Sequence, residues 1–306
     1  MPLLVVVFAA TAALAGDMYK WQDENGLWHF SDLPPAGKAS FQTFAVPNEP
    51  RQMLTMRQTG PERQPTHMFF NHYWGDAEVE LRLLDPVNVR AEPPLPARFV
   101  LPGQAERALV TLAPEDERQG FSYRLSYQLV PGAPKLALPD DLDFYPPFAR
   151  GERYPISQGI DDARTHTDAG SRYAVDIVMP EGTPVLAARG GLVMDVEDDF
   201  HETGRQEQRF LPRANYVRIL HADGSMAQYA HLQPNSAQVR PGQQVEAGRW
   251  IGNSGNTGYS NGPHLHFVIQ LNVGMSLESL PFRFKTAGGV MDPDRPQMLD
   301  GVLAAR

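Results

Sequence analysis

The sequence of 306 residues contains no cysteine. This absence excludes disulfide bonds, thiol nucleophiles and thiolate zinc sites, so any metal must be held by histidine and carboxylate groups. Lysine occurs at only four positions, and arginine supplies most of the positive charge. The formal net charge is −9, and such an acidic balance argues against nucleic acid as a partner.

The sequence also has no apolar run long enough to cross a bilayer, which takes about 20 residues. Residues 1–15 are uncharged and mostly apolar, and they end in Ala13-Leu14-Ala15 before a polar stretch. We interpret 1–15 as a signal peptide, although no lysine or arginine precedes its apolar part. Export without cysteine indicates a bacterial protein, and we expect no integral membrane segment after signal removal.

Turn-forming residues are abundant, with 28 prolines and 26 glycines, and no long helical period appears. We therefore predict an all-β fold, in which a domain built on an antiparallel β-sheet is preceded by a small β-sandwich and an N-terminal hairpin module. The predicted segments are a signal peptide (1–15), the hairpin module (16–37), a linker (38–66), the β-sandwich (67–135), the larger β-rich domain (136–290) and a tail (291–306).

The hairpin module is predicted from Asn25-Gly26, which separates two runs rich in alternating aromatic residues. In such a hairpin the aromatic residues of the two strands lie opposite each other, Tyr19 and Trp21 across from Trp28 and Phe30. The pattern Tyr-Lys-Trp, Asn-Gly and His-Phe-Ser-Asp resembles a small N-terminal module of unknown function in exported proteobacterial proteins.

The β-sandwich is predicted from strands with period-2 alternation. Charged and apolar residues alternate along 78–83, and apolar and polar residues alternate along 121–129. No residue of this segment suggests chemistry, and we interpret His67 and His72 as structural or surface residues.

Two turns that contain glycine predict hairpins in the larger domain. Gly190-Gly191 separates the apolar runs 184–188 and 192–196, and Asp223-Gly224 separates another pair of such runs.

The segment 262–267, Gly-Pro-His-Leu-His-Phe, is the strongest chemical signal. Side chains alternate along a strand, so His264 and His266 project from one face while the neighbouring apolar residues face a core. Two adjacent imidazoles can bind a metal, transfer protons or divide these tasks. They can also be two polar residues on a solvent-facing strand.

Further candidates lie earlier in the chain. Asp176 stands between apolar residues of a short strand, where a carboxylate is costly to bury unless it is paired or bound to a metal. His166 lies in a polar loop before that strand, and His231 ends another strand. We interpret His201 and His221, which lie in polar turns, as surface residues.

Three segments together resemble the lysostaphin-type zinc metallopeptidases, which cut peptidoglycan cross-bridges. They are 166–185, with Ser-Arg-Tyr-Ala-Val-Asp before Pro-Glu-Gly-Thr-Pro-Val; 229–232, Tyr-Ala-His-Leu; and 255–267, which ends in Gly-Pro-His-Leu-His-Phe. The resemblance covers about residues 150–275 and implies that 136–290 is a zinc metallopeptidase domain.

The resemblance also implies the roles of individual residues. His166, Asp176 and His266 correspond to the zinc ligands of the family, and His231 and His264 correspond to its catalytic histidines. The sequence has no His-Glu-x-x-His helix, which supports histidine rather than glutamate as the acid or base.

His166 departs from the commonest family pattern. That pattern has three residues between the first histidine and the aspartate, and Arg172 occupies the corresponding position here. His166 instead lies ten positions before Asp176, as in a subset of the family. We expect the polar insert with Gly170 to form a small loop that returns the histidine to the metal.

We therefore expect an exported, zinc-dependent murein endopeptidase in the periplasm or cell envelope of a Gram-negative bacterium, with peptidoglycan as its partner. The alternative is a non-catalytic wall-binding or amidase-activating protein of the same fold, which would not need stoichiometric metal. A biotinyl or lipoyl carrier is excluded because it needs an acceptor lysine, and none occurs between Lys135 and Lys285.

Overall fold

The structure is a computed structural model that describes residues 17–22, 28–31, 41–45, 50–160, 162, 164–204, 210 and 212–305. These residues form 24 strands and no α-helix, so the all-β prediction is confirmed. Within the same residues, no helix is long and apolar enough to span a membrane. The predicted signal peptide (1–15) and the turn Asn25-Gly26 lie outside the described residues.

The N-terminal unit, residues 1–51, contains one small antiparallel sheet. Its strands are β1 (Asp17–Gln22), β2 (Trp28–Ser31) and β3 (Phe41–Ala45), in the order β2-β1-β3. β1 and β2 pair Gln22 with Trp28 and Trp21 with His29. The predicted register, with Trp21 opposite Trp28, is therefore wrong by one residue. With Gln22 paired to Trp28, an odd number of residues connects the two strands. A hairpin closed by the two-residue turn Asn25-Gly26 would leave an even number.

The second unit, residues 52–306, begins with the β-sandwich. Its strands are β4 (Leu54–Thr59), β5 (Thr66–Asn71), β6 (Ala77–Val87), β7 (Arg90–Glu92), β8 (Ala97–Leu101), β9 (Glu106–Ala113) and β10 (Ser122–Pro131). One sheet has the order β4-β5-β9-β7 and the other the order β10-β6-β8. Buried apolar side chains from both sheets, among them Phe69 and Leu81, fill the core between them. The predicted sandwich is confirmed.

The remaining strands form the larger domain. They are β11 (Asp143–Phe144), β12 (Arg153–Gln158), β13 (Val175–Ile177), β14 (Pro184–Leu186), β15 (Gly191–Glu197), β16 (Tyr216–Leu220), β17 (Met226–Ala230), β18 (Gln244–Val245), β19 (Trp250–Asn253), β20 (Leu265–Asn272), β21 (Leu277–Ser279), β22 (Arg283–Thr286), β23 (Gly289–Met291) and β24 (Gln297–Asp300). Nine of them make one sheet, in the order β18-β15-β16-β17-β20-β13-β12-β24 with β21 paired to β20. Two small sheets, β14-β19 and β11-β22-β23, accompany this large sheet.

One of the two predicted hairpins in this domain is confirmed. β16 and β17 pair in antiparallel fashion around Asp223-Gly224. The hairpin around Gly190-Gly191 is wrong, because β14 pairs with β19 while β15 pairs with β16 and β18. A Cβ atom on Gly191 would clash with the carbonyl oxygen of Leu220, so this glycine allows close approach of β16 rather than a turn.

Strands also occur where the sequence suggested none. β3 and β4 lie within the predicted linker 38–66, and β24 lies within the predicted tail 291–306. In β4 only Leu54 is fully buried, so the strand lacks the alternation from which strands are predicted. β24 forms an edge of the large sheet and buries Leu299 in its core.

The two faces of β20 differ as the sequence predicts. Leu265, Phe267 and Ile269 are fully buried in the main core, which lies on one side of the large sheet. On the opposite face the far end of the strand packs against the sandwich. There the side-chain amide of Asn272 donates a hydrogen bond of 3.0 Å to Glu78 of β6.

Candidate metal centre

Three neighbouring strands bring the predicted residues to one face of the large sheet. Asp176 on β13 pairs with His266 on β20, and His266 pairs with Ala230 on β17. Side chains of directly paired residues lie on the same face, and alternation adds His264 to that face. His231 follows Ala230 directly. The register of the sheet therefore collects residues that are far apart in the sequence.

His166, Asp176 and His266 have donor atoms that all lie within 4.8 Å of one another. The Oδ1 atom of Asp176 lies 3.3 Å from Nε2 of His166 and 3.0 Å from Nδ1 of His266. Two ligands of a tetrahedral zinc ion, each about 2.0–2.1 Å from the metal, are about 3.3 Å apart. The spacing and the donor set of two imidazoles and one carboxylate therefore fit a metal ion such as zinc.

The ionisation of Asp176 results from opposing effects. Burial alone would raise the pKa of its carboxyl group. Hydrogen bonds from His166 and His266, together with the positive charge of His266 and His264 when these rings are protonated, outweigh burial and hold this pKa well below its ordinary value. Asp176 is therefore a carboxylate, which is the form that binds a metal.

His166 reaches the group from the loop before β13. The residue is 5% exposed, and its ring centre lies 4.8 Å from that of His266. The Nδ1 atom has no hydrogen-bond partner among the described residues. The long gap before Asp176 thus leaves His166 beside the carboxylate, whereas Arg172, at the position of the usual family histidine, is exposed.

The other histidine of the pair, His264, is oriented by main-chain oxygen. Its Nδ1 lies 2.8 Å from the carbonyl oxygen of Gly262, and a carbonyl can only accept. Nδ1 of the neutral ring therefore carries the proton. Nε2, which lies 3.7 Å from Oδ1 of Asp176, presents a lone pair to the site.

His231 adopts an unusual backbone conformation. Its φ of 64° lies in the left-handed region, which few residues other than glycine occupy. Simple alternation after Ala230 would turn this side chain to the core face. The left-handed conformation instead accompanies a ring 4.6 Å from that of His264 and 5.7 Å from that of His266, measured between ring centres.

The protonation of His231 follows from its surroundings. Its Nδ1 donates to the carbonyl oxygen of Thr257 over 2.7 Å, so Nε2 of the neutral ring carries the lone pair. Burial, reinforced by His264 and His266 when they are protonated, lowers the pKa of His231 to about 3. The side chain is therefore a neutral imidazole near pH 7 and can accept a proton.

Sequence reasoning missed the residues that hold His231. The Oγ1 atom of Thr257 donates to the carbonyl oxygen of Leu232 over 2.8 Å and accepts from the main-chain N–H of Asn215 over 3.1 Å. The buried amide of Asn215 donates in turn to the carbonyl oxygen of Phe200 over 2.8 Å. Main-chain acceptors have no side-chain signature, so the sequence offered no signal for this network.

The histidines outside the site have structural environments. His221 was expected at the surface, but it is 3% exposed, which corrects that prediction. Its Nδ1 donates to the carbonyl oxygen of Gly190 over 2.9 Å, and burial lowers its pKa to about 4. His67 is also buried and lies 3.1 Å from the hydroxyl of Tyr123, while His201 is exposed.

The large antiparallel sheet and its histidine–aspartate group are typical of a metallopeptidase domain. Residues 170–277 match the model of Peptidase family M23, and residues 4–65 match a domain of unknown function, DUF4124. The chain therefore contains a peptidase M23 domain and an N-terminal DUF4124 domain. Asp176, His231, His264 and His266 lie within the M23 match, and His166 lies just before it.

Several proteins with related names align with this part of the chain. Peptidoglycan DD-endopeptidase ShyA of Vibrio cholerae is 34% identical over 39% of this chain, and lysostaphin of Staphylococcus simulans is 33% identical over 41%. The alignments cover only 26% and 25% of those proteins. The structure of the lysostaphin catalytic domain is 29% identical, with 48% of this chain and 89% of that chain covered and a TM-score of 0.28.

Proposed function

We propose that the protein is a zinc-dependent endopeptidase that hydrolyses peptide bonds in peptidoglycan cross-bridges or stem peptides. The observation that supports it is the convergence of five predicted side chains at one face of the large sheet, four of them within the peptidase M23 match and His166 just before it. They are His166, Asp176, His231, His264 and His266. The names of the aligned relatives, which include a peptidoglycan DD-endopeptidase, supply the substrate class.

Zinc is the proposed cofactor, held by His166, Asp176 and His266. A bound zinc ion would supply a water molecule of lowered pKa and would polarise the carbonyl of the scissile bond. Two neutral imidazoles and one carboxylate leave the site with net positive charge, which favours this chemistry. Three protein ligands also leave a fourth tetrahedral position for water or substrate.

His231 and His264 are the proposed catalytic residues. Each has its Nδ1 proton committed to a main-chain carbonyl oxygen, so each presents Nε2 to the site as a proton acceptor. Either histidine can accept a proton from the attacking water and return it to the leaving amine. The protonated ring can also stabilise the oxyanion that develops on the substrate carbonyl.

The proposed setting is the cell envelope. The apolar segment 1–15 supports export, and peptidoglycan is the proposed partner, in the periplasm of a Gram-negative bacterium. With a net charge of −9 the chain has no overall attraction for an anionic wall, so recognition of the substrate is expected to be local.

The proposal is tested by digestion of purified murein with the wild-type protein and with His266→Ala, each with and without a chelator. We expect new muropeptides from the wild-type protein without chelator and none in the other three reactions. Unchanged muropeptides in every reaction would contradict the proposed peptidase activity. The zinc content of the purified protein distinguishes the proposed endopeptidase from the alternative, a non-catalytic activator, because an activator does not need stoichiometric metal.

A further inference from the structure

The chain on both sides of His166 is fastened to the large sheet. On one side the contacts come from β12, the neighbour of β13, and on the other side they come from β20 and β21. His166 lies ten positions before Asp176 and outside the matched M23 segment. Its position beside the carboxylate therefore depends on how the chain on either side of it is held. The side chains that hold the chain around His166 are therefore candidates for setting the metal affinity of the site.

Gln158 fastens the chain before His166. It lies on β12 opposite Asp176 and is 5% exposed. Its Nε2 donates to the carbonyl oxygen of Asp162 over 2.6 Å, and its Oε1 accepts from the hydroxyl of Thr165 over 2.9 Å. Thr165 immediately precedes His166. One amide on the strand beside the carboxylate ligand thus holds the chain that delivers the imidazole.

Ser279 on β21 fastens the chain after the histidine. Its main-chain N–H and its hydroxyl both donate to the carbonyl oxygen of Ala169, over 2.7 and 2.8 Å. The same hydroxyl accepts from the main-chain N–H of Tyr173 over 3.1 Å. Beside it, Gln270 donates to the carbonyl oxygen of Gly170 over 2.8 Å. The turn after the histidine is therefore fixed to the sheet by partly buried hydrogen bonds from Ser279 and Gln270.

We propose, on the basis of the zinc site of the proposed function, that Gln158 and Ser279 are positioning residues that raise metal affinity by holding His166 against Asp176. A ligand that is already in place loses less conformational freedom when the metal binds, so binding is stronger. Neither residue belongs to the ligand group itself, and each acts through the chain on one side of His166.

The test measures the zinc dissociation constant of the full chain by competition with a chelating indicator. Ser279→Ala removes the hydroxyl but keeps the main-chain bond to Ala169. Gln158→Met keeps the length of the side chain but removes both of its hydrogen bonds. We expect zinc to bind about tenfold more weakly to each variant, which is the scale of losses from ligand-orienting partners. Ser279→Thr retains the hydroxyl and is expected to restore the affinity.

Ser225→Ala is the matched control. Ser225 is fully buried and its hydroxyl donates to Asp223 in the turn between β16 and β17, so this change should leave zinc affinity unchanged. Thermal unfolding of the metal-free proteins shows which variants fold. If Gln158→Met does not fold, the zinc affinity of Ser279→Ala alone tests the positioning role.

The possible outcomes separate the positioning role from the proposed function. Unchanged zinc affinity in the folded Ser279→Ala protein would overturn the positioning role. Wild-type affinity in His166→Ala would overturn it as well, because His166 would then not be a ligand. A wild-type protein that binds no zinc would overturn the proposed function itself.

Discussion

Asp176 and His266 face each other across neighbouring strands, with Oδ1 of the aspartate 3.0 Å from Nδ1 of the histidine. Ninety positions of sequence separate the two residues. The antiparallel register of β13 and β20 therefore creates this pair, and both strands are buried on their opposite face. Because a slip of one residue would turn either side chain into the core, the core fixes the geometry of the site.

Asp176→Asn is expected to abolish tight zinc binding. The change preserves the shape of the side chain but removes the negative charge that attracts the metal. Loss of a ligand-orienting partner costs about 10–100-fold in affinity, so loss of the carboxylate ligand should cost at least about 100-fold. Isothermal titration of the metal-free protein with zinc measures the difference.

Asp223→Asn is the control for that change. Asp223 accepts hydrogen bonds from Ser225 and pairs with Arg189. It lies in the turn between β16 and β17, at the end of these strands opposite to His231. The zinc affinity of Asp223→Asn should equal that of the wild-type protein. Equal affinities for both asparagine variants would remove Asp176 from the ligand set.

Thr257→Val is expected to lower kcat on murein peptides by about tenfold, with little effect on KM or zinc content. The valine is similar in shape but cannot donate to Leu232 or accept from Asn215, so the carbonyl that orients His231 is less firmly held. Thr257→Ser keeps the hydroxyl and should recover most of the activity. Steady-state kinetics on a defined cross-linked peptide provide the measurement.

Thr183→Val controls for the loss of a buried threonine hydroxyl. The hydroxyl of Thr183 donates to the carbonyl oxygen of Pro180, and the residue has no contact with the predicted catalytic histidines among the described hydrogen bonds. We expect a kcat close to the wild-type value. A loss equal to that of Thr257→Val would show that the effect is general instability.

His221 is expected to make the protein less stable in mild acid. Its pKa is about 4 in the folded protein and about 6.5 in an unfolded chain, because burial disfavours the charged ring. Between these values the unfolded chain binds more protons, so stability falls as pH falls from about 6.5 to 4 and is fully present above that range. The total loss from this residue is up to about 3 kcal/mol.

His221→Asn isolates this contribution. Asparagine can still donate toward the carbonyl oxygen of Gly190 but does not titrate in this range. The variant should therefore show a shallower loss of unfolding free energy between about pH 6.5 and 4, measured by urea denaturation at several pH values. Parallel curves for the two proteins would contradict the assignment to His221.

Tyr229→Phe is expected to destabilise the fold by about 1–3 kcal/mol. The hydroxyl of Tyr229 accepts a hydrogen bond of 2.8 Å from the main-chain N–H of Ala188, and both residues are fully buried. The phenylalanine would leave that N–H without a partner. Urea denaturation measures the loss, and an unchanged midpoint would show that the bond contributes nothing. Zinc affinity of the folded variant should remain unchanged.

Much of the large sheet could be predicted from the sequence because local alternation reflects burial. His266 is on β20, whose apolar residues face the core, His264 immediately precedes that strand, and Asp176 stands between buried neighbours. Family resemblance added His231 and His166, which no periodicity identifies. The structure places all five side chains together, while their roles stay predictions.

The errors share a physical cause, which is that long-range pairing leaves little local trace. Gly190-Gly191 looks like a hairpin turn, yet β14 pairs with β19, more than sixty residues later in the chain. β4 is exposed along most of its length, and β24 completes an edge of the sheet far from its partner in sequence. The burial of His221 depends on a contact with the distant Gly190.

The buried carboxylate of Glu78 has a consequence for cooperativity. It belongs to the sandwich, yet it accepts hydrogen bonds from the side chain of Asn272 over 3.0 Å and from the main chain of Met275 over 2.6 Å. Separating the sandwich from the large sheet would break both hydrogen bonds and expose these buried groups to water. Residues 52–306 should accordingly melt in a single transition, with the sandwich acting as an integral support of the sheet that carries the histidines.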